Sequence, residues 1–324
     1  MRIAFKILLF LIVLVVIIAV AGVTFLYVRY PNIRPAEDVK VQATPETVAR
    51  GDYLVNHVTG CIGCHSVRDF TKYGAPIKPE TRGAGGEPFV GEPESGFEVY
   101  SKNITPEGIG QWSDGQLIRA MTTGVNADGE PLFPIMPYPR YARLAREDVE
   151  AIVAYIRALK PIKSTVPERK LPFPLPLIVR TMPQEASFRP IPPRSDKVAY
   201  GEYMTNAAVC ADCHTPIDDR GTPLPGREWS GGTAMPMPGG GIVRPANITP
   251  DADSGIGTWT EQQFIDKFKG WRGVEARALT PQEQRENTFM PWLFYAGMTD
   301  EDLSAIYAYL RTVKPVLNRV KKHN

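Results

Sequence analysis

The sequence predicts a mainly α-helical protein of two tandem domains with long Gly/Pro-rich loops, preceded by one N-terminal transmembrane helix. Three observations predict it. One uncharged apolar run lies near the N-terminus, an ordered set of short motifs occurs twice, and apolar residues at helical spacing close each copy.

The first element is the apolar run from Ile7 to Val28, which contains no charged residue. At about 1.5 Å rise per residue it covers roughly 33 Å, enough to cross a bilayer. Arg2 and Lys6 precede it; Arg29, Tyr30 and Pro31 follow. A cleaved signal peptide is the competing reading, with Ala19-Val20-Ala21 as its cleavage site. The run continues past that site, however, whereas signal h-regions are usually about 7–15 residues long. Span length therefore favours an uncleaved anchor over residues 1–30.

Beyond the anchor the chain repeats itself. Ala49-Arg-Gly-Asp-Tyr-Leu-Val-Asn56 is matched by Ala199-Tyr-Gly-Glu-Tyr-Met-Thr-Asn206. Asn-Ile-Thr-Pro recurs at Asn103–Pro106 and Asn247–Pro250, and Gly-Ile-Gly-x-Trp recurs ending at Trp112 and Trp259. Met136-Pro137-Tyr138 matches Met290-Pro291-Trp292, and from there to Pro161 and Pro315 the copies align without a gap. Conserved order implies two homologous domains, at 44–161 and 195–316.

Each domain is expected to open on a helix, with Thr44 as N-cap and Pro45 at the first helical position in one, and Ser195-Asp196 serving the other. Each should close on an amphipathic helix. Val149, Ile152, Val153, Ile156 and Leu159 have helical spacing, as do Leu303, Ile306, Tyr307, Leu310 and Val313. Thr299 caps the second of these, whereas the first has Ala145 in that place. Residues 162–194 form a proline-dense linker, expected to be extended, with Leu175–Val179 packing along the domains. Arg82–Gly96 and Gly231–Gly241 read as loops with little regular packing of their own.

The chemistry lies in Cys61-Ile-Gly-Cys64-His65 and Cys210-Ala-Asp-Cys213-His214. Cys-x-x-Cys-His reads as a c-type haem attachment site. Cys61, Cys64, Cys210 and Cys213 would carry two covalently bound haem c groups, and they are all the cysteines of the chain. His65 and His214 would each ligate iron from one side.

A second axial ligand must come from elsewhere. His57 and His323 do not recur between the copies, which leaves methionine, a ligand that raises the potential of a cytochrome c. Met136 and Met290 are equivalent and stand in Met-Pro-aromatic segments; Met121, Met235, Met237 and Met298 have no counterpart. The competing reading of any of them is a filler of core gaps. Trp112 and Trp259 are candidates to stack at the haem edge or to donate to a propionate, against the alternative of core aromatics. Asn103 and Asn247 read as structural turn residues. Lys102 and Arg244 are weaker candidates for neutralising propionates.

Composition narrows the function. The 324-residue chain has a formal net charge of +2 and no basic block, which argues against nucleic acid as a partner.

The paired Cys-x-x-Cys-His, Asn-Ile-Thr-Pro, Gly-Ile-Gly-x-Trp and Met-Pro blocks resemble those of membrane-anchored bacterial dihaem cytochromes c. The resemblance is to cytochrome c subunits of periplasmic alcohol, aldehyde and related dehydrogenases. It implies two mainly helical cytochrome c domains with His/Met ligation, on the periplasmic side of the inner membrane. It also implies an electron carrier rather than an enzyme, exchanging electrons with a dehydrogenase, a quinol-linked complex, a soluble cytochrome or an oxidase. Several such subunits carry three haems where this chain has motifs for two, so no particular dehydrogenase is implied. The alternative class is a dihaem enzyme such as a peroxidase, which needs an open iron site with acid/base groups.

Overall fold

The computed structural model describes residues 2–91, 93–218 and 221–323. The apolar run forms α1 (Arg2–Arg29), a helix with no buried residue. Its length and composition suit a membrane span.

The first half continues with α2 (Pro45–Tyr53), α3 (Cys61–Cys64), α4 (Pro106–Ile109), α5 (Asp114–Thr123), α6 (Tyr138–Tyr141) and α7 (Arg146–Arg157). In the linker lies α8 (Leu175–Arg180). The second half contains α9 (Lys197–Ala207), α10 (Cys210–His214), α11 (Glu261–Lys269), α12 (Pro281–Arg285), α13 (Trp292–Tyr295) and α14 (Asp300–Leu310). The two loops expected to be irregular each contain part of a short antiparallel ladder. One pairs β1 (Pro88–Val90) with β2 (Glu98–Tyr100), the other β3 (Met235–Pro236) with β4 (Ile242–Val243).

Local chemistry sets the ends. The Thr44 side chain accepts from Thr47 N–H at the start of α2, with Pro45 following, and Asp196 accepts from Ala199 N–H at the start of α9. Thr299 accepts from Asp302 N–H, whereas Ala145 leaves α7 without a side-chain cap. The linker departs from the expected extended form at α8. Its prolines stand at Pro174 and Pro176, at the helix entrance, where a missing N–H costs no intrahelical bond.

In each half the opening and closing helices pack together, α2 on α7 and α9 on α14. The contact is close enough to require glycine. A Cβ on Gly51 would overlap the Ala151 carbonyl, and one on Gly201 the equivalent Ala305 carbonyl.

One cluster of buried side chains runs through both halves. It takes Leu54, Ile62, Val149 and Ile152 from the first and Tyr200, Met204, Leu303 and Leu310 from the second. Burying each large aliphatic side chain contributes about 1.5–3 kcal/mol.

The halves meet through reciprocal contacts, the pattern a local two-fold relation produces. Tyr203 donates to the buried Asp148 carboxylate across the boundary at 2.5 Å, and Tyr53 donates to the buried Asp302 carboxylate in the opposite direction. The N–H of Ala145 donates to the Tyr203 hydroxyl and that of Thr299 to the Tyr53 hydroxyl.

Candidate functional site

A single helical turn carries each attachment motif. Cys61 and Cys64 are three apart within α3, so both thiols fall on one face, and His65 ends the turn; α10 repeats this with Cys210, Cys213 and His214. All four cysteines are free thiols. Burial pushes the Cys61 thiol up to about 11 and that of Cys210 up to about 12, so both are protonated at neutral pH. Among the described residues no group of three or more His, Cys, Asp or Glu side chains forms a metal site.

The two histidines are held alike. Nδ1 of His65 lies 2.7 Å from the Lys102 carbonyl oxygen, and Nδ1 of His214 lies 2.8 Å from that of Ala246. A carbonyl only accepts, so Nδ1 carries the proton and Nε2 keeps its lone pair. Desolvation lowers the pKa of both rings, which favours the neutral form a metal requires. A ligating histidine almost always donates its other N–H in this way. The donor set thus fits a c-type haem: paired thiols on one helical face, followed by a neutral, oriented imidazole.

The other repeated blocks support those carbonyls. Lys102 and Ala246 immediately precede Asn103 and Asn247. Asn103 Oδ1 accepts from the N–H and hydroxyl of Thr105, at 2.9 and 2.7 Å; Asn247 does the same with Thr249, at 3.0 and 2.8 Å. Their amides donate to the carbonyls of Ile162 and Val316, just after the Lys-Pro pairs. The structural reading of these asparagines therefore holds. Lys102 contributes its backbone carbonyl, while its ammonium reaches toward the Pro167 carbonyl at 3.5 Å.

Met136 and Met290 occupy the same turn in each half. The N–H of Tyr138 bonds the Met136 carbonyl and that of Trp292 the Met290 carbonyl, both at 2.8 Å. Both methionines are half-buried and pack against the core. The turn runs into α6 and α13, whose last residues tie it to the attachment motif. The Tyr141 hydroxyl donates to the Thr59 carbonyl, two residues before Cys61, and Tyr295 donates to Ala208, two before Cys210, each at 2.7 Å. Sequence reading passed over these tyrosines, although they align without a gap. Among the rival methionines, Met121, Met237 and Met298 are buried.

Trp112 and Trp259 are half-buried at the edge of the core. Their loops are fastened to the closing helices. Arg157 donates to the carbonyls of Ile109 and Trp112, and Arg311 donates to that of Gly257 at 2.6 Å. His57 is engaged at the boundary between the halves, its Nδ1 lying 3.0 Å from the Phe294 carbonyl. Asn206 donates to the equivalent Arg140 carbonyl at 2.9 Å. Here the first half has one residue more before its cysteines. A π-helical turn, Leu54–Val58, accommodates it.

The attachment turns themselves lie at the boundary. The Phe294 ring packs against Gly63, where a Cβ would meet it at 3.3 Å. At the equivalent positions Arg140 forms an ion pair with Asp212 at 2.6 Å.

Residues 198–314 match the cytochrome c family. The chain is 31% identical over 316 residues to the fructose dehydrogenase cytochrome subunit of Gluconobacter japonicus, covering 91% of this chain and 59% of that one. It is 27% identical to the gluconate 2-dehydrogenase cytochrome c subunit of Pantoea cypripedii, covering 84% and 60%. A diheme cytochrome c-type protein of Cereibacter sphaeroides is 30% identical over 115 residues, 36% of each chain. The chain thus spans about three-fifths of the length of the dehydrogenase subunits it matches.

Proposed function

Because residues 198–314 carry a cytochrome c domain and the chain is similar over most of its length to dehydrogenase cytochrome subunits, we propose that it is a membrane-anchored electron-transfer protein with two haem c groups. It forms two cytochrome c domains, at 44–161 and 195–316. Cys61 and Cys64 attach one haem and Cys210 and Cys213 the other. His65 with Met136, and His214 with Met290, would hold the two irons. The domains face the periplasm from the inner membrane. Electrons arrive from a membrane-bound dehydrogenase and leave to a quinol-linked complex, a soluble cytochrome or an oxidase.

The observation that carries this reading is the same cradle built twice, in which an attachment turn, a carbonyl-bound histidine and a tyrosine-tied Met-Pro turn recur on equivalent residues. Bound haem supplies a reversible one-electron iron couple. The chain does the rest. His65 and His214 present Nε2 with Nδ1 anchored, which raises their basicity as ligands. Met136 and Met290 offer soft thioethers that favour the reduced state. The shared boundary holds each attachment turn against the Met-Pro helix of the other half, through the Gly63–Phe294 and Arg140–Asp212 contacts. His57, tied to the Phe294 carbonyl, serves the boundary rather than acid/base work at an open iron.

A pyridine haemochrome assay with a redox titration tests the proposal. The expected result is two haems per chain, with Met136→His lowering one potential, within the roughly 0.8 V that axial ligands span, and both haems retained. Fewer than two haems, or an unchanged titration, contradicts it.

A further inference from the structure

The proline-rich linker contains a feature that electron transfer leaves unexplained. Phe173 is 81% exposed, and Ile178 and Met182 are 44% and 41% exposed. Leu175, Ile178 and Met182 follow a three-then-four spacing and so line one side of α8 and its exit. Arg180 stands on the opposite side and is buried, and Val179, beside Leu175, is covered as well.

The helix itself lies beside the end of the membrane span. α8 packs on α1, and Arg180 makes the joint. Its guanidinium stands over the Tyr27 ring at 4.6 Å and donates to the Tyr30 carbonyl at 2.8 Å. It also pairs with Glu130 at 2.7 Å, linking the span to the first half. Tyr27 and Tyr30 mark the depth at which aromatic residues settle between hydrocarbon and water.

We propose that Phe173–Met182 is a second membrane contact, with Phe173, Ile178 and Met182 seated in the interfacial layer of the bilayer that α1 spans. The occupant is lipid because the patch stands on a helix packed against the last turn of the apolar span. α1 has no buried residue, and the salt-bridged Arg180 fixes α8 against its last turn. A short helix with an apolar outer side suits that layer, where it buries side chains at the headgroup–acyl boundary. One spanning helix followed by flexible chain would let the haem domains tumble. Two contacts joined through Arg180 hold the first half at a set height and tilt. This inference rests on reading α1 as an anchor.

Photo-cross-linking of the full chain in native membranes tests it. Phe173→p-benzoylphenylalanine is compared with the same replacement at Ile178 and, within the span, at Ile17, which is 58% exposed. Lipid adducts are expected at all three positions. Adducts at Ile17 but neither linker position overturn the second contact and leave the anchor standing. An adduct between either linker position and a protein overturns lipid as the occupant. No lipid adduct anywhere overturns the anchor, and the inference with it.

Discussion

The two halves use matching backbone geometry around their cysteines and different chemistry where they meet. Around the attachment turns, the histidine–carbonyl, asparagine–threonine and tyrosine–carbonyl bonds recur at distances differing by about 0.1 Å. At the boundary the partners diverge. Asp148 is bound in its own half by Arg50, through both carboxylate oxygens at 2.8 and 2.9 Å, whereas Asp302 is bound by Tyr200 at 2.9 Å. Gly63 against Phe294 is an apolar contact; the equivalent Asp212 with Arg140 is an exposed ion pair, worth about 0–1 kcal/mol. What cradles the proposed haem is repeated because its geometry is demanding. Of what joins the halves, the tyrosine–aspartate bonds recur, while the pairings around them vary because any satisfied pairing there suffices.

The buried aspartates provide the strongest test. Asp148→Ala leaves the Arg50 guanidinium, only 26% exposed, without its carboxylate, and also strands the Tyr203 hydroxyl. Breaking such a pair costs about 3–5 kcal/mol. Asp302→Ala should cost less, about 1–3 kcal/mol. Arg194 is 46% exposed and keeps Glu301, so it rehydrates, and chiefly Tyr53 and Tyr200 lose a partner. Denaturant unfolding of the haem-loaded protein, followed by helical circular dichroism, measures both. Equal losses would show that the exposure of the paired arginine does not decide the cost.

A smaller effect should be the same in both halves. Tyr141→Phe and Tyr295→Phe each remove one buried hydrogen bond between the Met-Pro turn and the attachment motif, at about 0.5–1.5 kcal/mol. If the proposed ligation holds, each should also weaken the sulfur-to-iron charge-transfer band of the haem proposed for its own half. A band that survives both changes in full would mean that the tyrosines do not position the methionines.

These tyrosines also mark where sequence reading stopped. The repeated blocks were legible as blocks, and so were the helices at their ends, because periodicity and capping are local. The one-residue excess before Cys61 was visible as a count, while its absorption into a π-helical turn was not. The Tyr53–Asp302 and Tyr203–Asp148 bonds join residues far apart in the chain, and no local pattern points to such partners. The helix α8 was hidden by its prolines, which signal extended chain unless they fall in a first turn. What each block is for, such as a carbonyl held for a histidine, emerged only from its contacts.

The smallest difference concerns the caps. α7 and α14 begin from nearly the same backbone, φ −66° and ψ 145° at Ala145 and φ −68° and ψ 155° at Thr299, yet only Thr299 offers a hydroxyl to the helix. Thr299→Ala should cost about 0.5 kcal/mol, the low end for an N-cap, because the site is exposed and water replaces the hydroxyl. The reciprocal Ala145→Thr should not gain that amount. Ala145 is fully buried with its N–H already on the Tyr203 hydroxyl, so added atoms must displace packed neighbours. Unfolding midpoints of the two variants give the comparison. Stabilisation by Ala145→Thr would show that the boundary has room at α7, and that the missing cap there is not enforced by packing.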